Sequence, residues 1–233
     1  MTAQRKLTTP LAWFGMTLIG ILPVIATGHE SGDWILRAGA TQVAPDESSS
    51  VVTTTATGPL AGTAAGVDDN IQVGLNLLYM WSDNIGIEIL AATPFKHDLS
   101  VSGLSAYGFD TTDLGSTKHL PPTISLEYFF GTPDSRVRPY VGIGANYTTF
   151  FSESLSGQAK SELAARSLDL DDSIGVSWRA GVDWQFNEQW LLNASFWNID
   201  IDTEASFDSA LGKVTADVDI DPWVYMISLG YKF

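Results

Sequence analysis

Residues 173–186 read SIGVSWRAGVDWQF. Counted by twos, Ile174, Val176, Trp178, Ala180, Val182, Trp184 and Phe186 fall on one side. Ser173, Gly175, Ser177, Arg179, Gly181, Asp183 and Gln185 fall on the other. A repeat of two marks a β-strand with unlike faces. The fold depends on what touches each face, because two Trp and a Phe line one side while an Arg and an Asp sit on the other.

The same alternation recurs at 33–43, 71–81, 85–93, 123–130, 137–151, 190–202 and in the last segment, where Trp223, Tyr225, Ile227, Leu229, Tyr231 and Phe233 share a side. Three connections are short and polar: SDN (82–84), GTPDSR (131–136) and NEQ (187–189). These are rich in turn formers. The other four, about 45–70, 94–122, 152–172 and 203–222, are long. Strands long enough to cross a bilayer at a tilt, with short turns at one end and long loops at the other, predict an all-β fold. It is an eight-stranded antiparallel transmembrane β-barrel with short periplasmic turns and long extracellular loops. Lipid cannot satisfy an open sheet edge, so the sheet must close. Trp81, Phe130, Phe186, Trp190 and Phe233 end strands beside the short turns, where an interfacial girdle would lie.

The charges decide between lipid and water outside. Arg37, Glu88, Glu127, Arg179, Asp183 and Lys232 fall on the face opposite the aromatics. A soluble lipocalin-like barrel would turn its apolar face inward and leave few charges to solubilise the outside. In a membrane barrel these six point into the lumen, where unpaired charge is costly, and the expectation is an inward ionic network. Above it, Leu90, Phe150, Trp197, Ile199, Ile201 and Val224 count inward as well, joined by Val218 and Ile220. An apolar inner wall suits a small hydrophobic ligand, or simply fills a narrow lumen.

The chain has 233 residues, no Cys and 17% charged residues, so neither disulfides nor thiolate chemistry is available. Arg5 and Lys6 precede the apolar run 11–26, with Ala26 and Gly28 at small-residue spacing. Residues 1–28 read as a cleaved export signal and 29–233 as the barrel. Cleavage would leave ten basic against 27 acidic residues, a formal charge of −17. That balance argues against nucleic acid. The acid concentrates in LDLDDS (168–173), IDIDTE (199–204) and DVDIDP (217–222), none with calcium-loop spacing, so a solvated rim facing lipopolysaccharide is expected and no metal or cofactor. The stretch 48–66 reads as mobile surface, and 152–168 holds good helix formers.

Catalysis finds little support. His97 and His119 lie near the outer ends of neighbouring strands and are expected to approach each other, with Asp98 and Ser100 nearby. No G-x-S-x-G or His-Glu-x-x-His motif occurs.

ILRAGAT (35–41), LAATPFKHDL (90–99), LPPTISLEYFF (120–130), PYVGIGANYTTFF (139–151), LDDSIGVSWRAGVDWQFNEQWLLNA (170–194) and DVDIDPWVYMISLGYKF (217–233) resemble the outer-membrane protein W (OmpW) family over nearly all of 29–233. The resemblance implies the Gram-negative outer membrane, a narrow hydrophobic lumen and passive uptake of small hydrophobic molecules, released sideways through a gap in the wall. It implies an inward gating Trp, for which Trp197 is the nearest position. It also implies roles as colicin or phage receptor or in stress responses, which a plugged structural barrel could fill without transport. Phe233 looks like the signal read by the outer-membrane assembly machinery.

Overall fold

The computed structural model describes residues 28–233, so the expected export signal, apart from Gly28, lies outside the described residues. In chain order the first strands are β1 (Trp34–Ala44), β2 (Ser48–Ser49), β3 (Thr53–Thr54), β4 (Gly58–Pro59), β5 (Ala64–Val67), β6 (Asn70–Met80), β7 (Ile85–Ala92), β8 (Phe95–Ser102) and β9 (Asp113–Leu120). There follow β10 (Thr123–Phe129), β11 (Val137–Leu155), β12 (Arg166–Leu170), β13 (Ser173–Gln185), β14 (Trp190–Ile199), β15 (Asp202–Ser209), β16 (Gly212–Asp219) and β17 (Trp223–Lys232).

Eight of them close a barrel in the order β1, β6, β7, β10, β11, β13, β14, β17 and back to β1, antiparallel throughout. Closure leaves neither β1 nor β17 as a free edge, which is what hydrocarbon requires. The phase read from residues 173–186 holds: Ile174, Trp178 and Trp184 are exposed, while Ser177, Arg179, Asp183 and Gln185 are buried. Trp34, Leu75, Ile89, Leu126, Ile143, Phe196 and Leu229 continue the outward apolar belt on the other strands. Aromatic pairs brace its rims. Trp190 and Tyr231 lie 4.9 Å apart, Trp34 and Tyr79 4.8 Å, and Phe196 and Trp223 6.0 Å. No described helix is long and apolar enough to cross a membrane.

The long connections are folded, which corrects the reading of 48–66 as mobile surface. Outside the bilayer β12, β15, β16, β3 and β4 form a second sheet, with β2 on β16. Thr54 pairs with Val214 and Ser49 with Val218. A Ser/Thr/Gly segment has no periodicity of its own, but its backbone groups and hydroxyls still bond. Thr63 Oγ1 donates to the Leu60 carbonyl at 2.7 Å and accepts from Val52 N at 2.8 Å. On the opposite wall β5 pairs with β8, β8 with β9, and β9 with the upper part of β11. Beyond β11 a short helix, α1 (Gly157–Glu162), forms where the sequence suggests one. The Ser156 hydroxyl caps it, accepting from Ala159 N at 2.9 Å.

Candidate functional site

The lumen is layered. In the periplasmic half of the barrel lies the ionic network. Arg37 donates to Glu88 and to Asp183, each at 2.5 Å. Arg179 pairs with Glu88 and Glu127. These five residues are at most 4% exposed. Tyr140 and Asn193 knit the layer together: Arg179 donates to the Tyr140 hydroxyl at 2.8 Å, and Asn193 donates to it at 2.9 Å and to Asp183 at 2.7 Å. Buried charges persist only when paired and bonded on most of their atoms, and this layer largely meets that demand.

Lys232 does not join, correcting the sixth member of the expected set. Its phase is right but its height is wrong, because Arg37 pairs across the barrel wall with Gly230, two residues earlier. Lys232 Nζ lies at the periplasmic rim, 3.4 Å from Asp33, and donates to the Gly28 carbonyl at 2.8 Å. Two other groups occupy the space below the network. His29 Nε2 lies 2.6 Å from Asp183 Oδ2, and Arg138 donates to the carbonyls of His29 and Asp83 at 2.7 Å each. Arg138 and Tyr140 were legible by phase, both alternating with the outward Val141. His29 precedes the first strand and carries no periodic signal. A second apolar cluster, Ile35, Leu78, Met80, Phe129, Tyr140 and Leu191, fills the periplasmic end.

Above the network the lumen is apolar. Leu90, Phe150, Trp197, Ile199, Ile201 and Val224 are all buried and belong to one cluster that continues into the outer sheet. The Trp197 ring marks the boundary, with the Arg179 Cζ 4.3 Å from its centroid. Two cavities stack in the tract, leaving about 40 and 90 Å³ for the centre of a water-sized sphere. The inner is bordered by Val43, His97, His119, Phe150, Ile201 and Ile220, the outer by Val52, Leu60, Val101, Leu104 and Phe207. Ala65, Leu114 and Ala205 border both.

The expected approach of His97 and His119 occurs. Alternation on β8 and β9 turns Lys96, Asp98 and Lys118 to water and both imidazoles inward. Their Nε2 atoms are 3.0 Å apart, and His97 Nδ1 meets the Asp68 carbonyl. Phe150 stacks on His119 with centroids 5.8 Å apart and planes 23° apart. Burial holds His97 below the ordinary imidazole value, and burial with the neighbouring His97 brings His119 down to about 3. Asp98 and Ser100 point outward, so the four residues do not converge as a hydrolytic set.

The wall beside the histidines is unlaced. The β7–β10 ladder reaches Leu90 and Thr123, and the β8–β9 ladder resumes at Phe95 and His119. Between them Ala91–Pro94 face Leu120–Pro122 with no ladder pair, and three prolines among these residues lack the N–H a ladder needs. At the outer rim the carboxylates of Asp200, Asp202 and Asp221 lie within 4.8 Å of one another. Partial burial, then Asp200, Asp219 and Asp221, raises Asp202.

Comparison with known proteins agrees with this geometry. The sequence model of the OmpW family matches residues 30–233. Outer membrane protein W of Vibrio cholerae is 46% identical over 213 residues, covering 91% of this chain and 92% of its own. The crystal structure of the outer membrane protein OprG from Pseudomonas aeruginosa is 43% identical with a TM-score of 0.83, covering 88% of this chain and 98% of that one. A more distant relative in Pseudomonas aeruginosa, the dibenzothiophene metabolism operon protein PahQ, is 26% identical over 207 residues, 89% of this chain and 92% of its own. With its closed eight-stranded barrel, its outward apolar belt and these matches, the chain belongs to the OmpW family and is a Gram-negative outer-membrane protein.

Proposed function

We propose that the outer half of the lumen takes up small hydrophobic molecules and that the barrel passes them passively across the outer leaflet. The observation that carries this reading is the continuous apolar tract from the outer sheet down to Trp197, with two cavities inside it. Each exceeds the ~10–15 Å³ that one water requires, yet their walls are nearly all apolar. Such a space repels ions and sugars and welcomes hydrocarbon. Leu90, Phe150, Trp197, Ile199, Ile201 and Val224 form the path, with Trp197 as its floor. The ionic layer beneath obstructs an axial exit, so release runs sideways through the unlaced wall at Ala91–Pro94 and Leu120–Pro122 into the bilayer. The dibenzothiophene metabolism in the name of the relative PahQ, which concerns a polycyclic aromatic compound, fits a ligand of this class.

Uptake of a hydrophobic dye by proteoliposomes tests the reading. A Trp197→Asp, Ile199→Asp double variant that still folds should lose protein-dependent uptake. Undiminished uptake would refute the proposal.

The folded outer sheet favours a second reading, in which the barrel is plugged and displays a surface to a colicin or phage. That reading predicts no protein-dependent uptake by the native chain and loss of receptor activity when the β3–β4 hairpin is deleted. On either reading the acidic rim faces lipopolysaccharide, and Phe233 serves the assembly machinery.

A further inference from the structure

The two histidines form a polar spot in an otherwise apolar tract, and their hydrogen bonds fix what that spot can do. His97 Nδ1 meets the backbone carbonyl of Asp68, which can only accept, so Nδ1 carries the proton. With both imidazoles neutral, as their burial dictates, His97 Nε2 is then a bare acceptor. It lies 3.0 Å from His119 Nε2, which must therefore be the donor. The remaining atom, His119 Nδ1, is left as an acceptor. It is buried and has no partner, on a side chain only 5% exposed. The ring borders the inner cavity, flanked by Phe95 and Phe150 with centroids 5.5 and 5.8 Å away. The other buried hydroxyls on that cavity are already committed as donors, Thr117 to the Lys118 carbonyl at 3.3 Å and Thr203 to that of Asp171 at 2.7 Å.

We propose that His119 Nδ1 is a recognition atom, and that the tract selects small apolar ring compounds carrying one O–H or N–H donor over pure hydrocarbons of the same shape. The inference rests on the uptake reading above and narrows its ligand class. A buried acceptor left unmet is costly, so a ligand that supplies the missing proton gains what a methyl group in its place cannot. The aromatic rings on either side favour a flat body. Phenolic and indolic compounds have this chemistry, and saturated or unsubstituted hydrocarbons do not.

The test uses the full barrel in lipid nanodiscs and three probes of similar shape. These are 4-methylphenol, which donates; 1,4-dimethylbenzene, which does neither; and 4-methylanisole, which only accepts. Binding is measured by equilibrium dialysis and divided by each probe's partition into protein-free nanodiscs. The native protein should prefer 4-methylphenol to 1,4-dimethylbenzene roughly five- to tenfold, the range expected for one hydrogen bond. The ratio should fall to about one in His119→Phe, with 1,4-dimethylbenzene binding retained. In ¹⁵N-histidine-labelled protein, His119 Nδ1 should resonate as an unprotonated nitrogen and shift on adding 4-methylphenol only. Equal binding of 4-methylphenol and 1,4-dimethylbenzene, preference for the anisole, or a protonated Nδ1 in the free protein would each overturn the inference alone. If no probe binds, the uptake reading falls and this inference with it.

Discussion

The Arg179 guanidinium lies against the Trp197 ring, 4.3 Å from Cζ to the ring centroid, where the lumen changes from ionic to apolar. One side chain thus floors the hydrophobic tract and covers the charges beneath it. Trp197→Ala removes both functions and should cost roughly 3–5 kcal/mol, the range for emptying a buried Trp. Trp197→Phe should cost clearly less. Urea unfolding from lipid vesicles measures the difference.

The ionic layer should show strong coupling. Arg179→Met leaves Glu127 buried without its cation and should cost about 3–5 kcal/mol. Adding Glu127→Met removes the orphaned charge, so the double variant should be more stable than the single one. A double-mutant cycle in the same unfolding assay checks the sign.

Acid should weaken the outer half of the barrel through His119. The unfolded imidazole titrates near 6.5 and the folded one at about 3. Between those values the unfolded chain binds a proton that the folded chain refuses, so stability falls as pH falls through that window and levels off below it. The loss is on the order of 5 kcal/mol at the acid end. Unfolding midpoints from pH 7 to pH 4 should drop more steeply for the native chain than for His119→Phe.

The outward face should behave as a lipid contact. Ile143→Arg, in the middle of β11 and facing out, should cost about 2–4 kcal/mol in a bilayer. Ser102→Arg, exposed on β8 above the belt, should stay within about 0.5 kcal/mol. Folding yield and urea midpoints in vesicles separate the two.

What the sequence makes legible here is whatever a single strand carries in its own period. The outward belt, the five charges of the network and the six apolar lumen residues all follow from counting by twos on strands with one greasy face. The His97–His119 approach was also readable, because both sit at the outer ends of neighbouring strands. Lys232 was misplaced because phase gives direction and not height, and height depends on the stagger of β17 against β1. The outer sheet was invisible for another reason: β3 pairs with β16 some 160 residues away, through two Thr that have no preferred face. His29 beneath Asp183 is likewise a contact across 154 residues.

The cylinder closes by joining β1 to β17. Ile35 sits opposite Lys232, and Trp34 and Phe233 exchange hydrogen bonds between backbone groups, Trp34 N to the Phe233 carbonyl at 3.3 Å and Phe233 N to the Trp34 carbonyl at 3.0 Å. No half of this wall is a finished object, since either half would present two raw edges to hydrocarbon. Insertion into hydrocarbon is therefore complete only once the last strand of the chain has found the first.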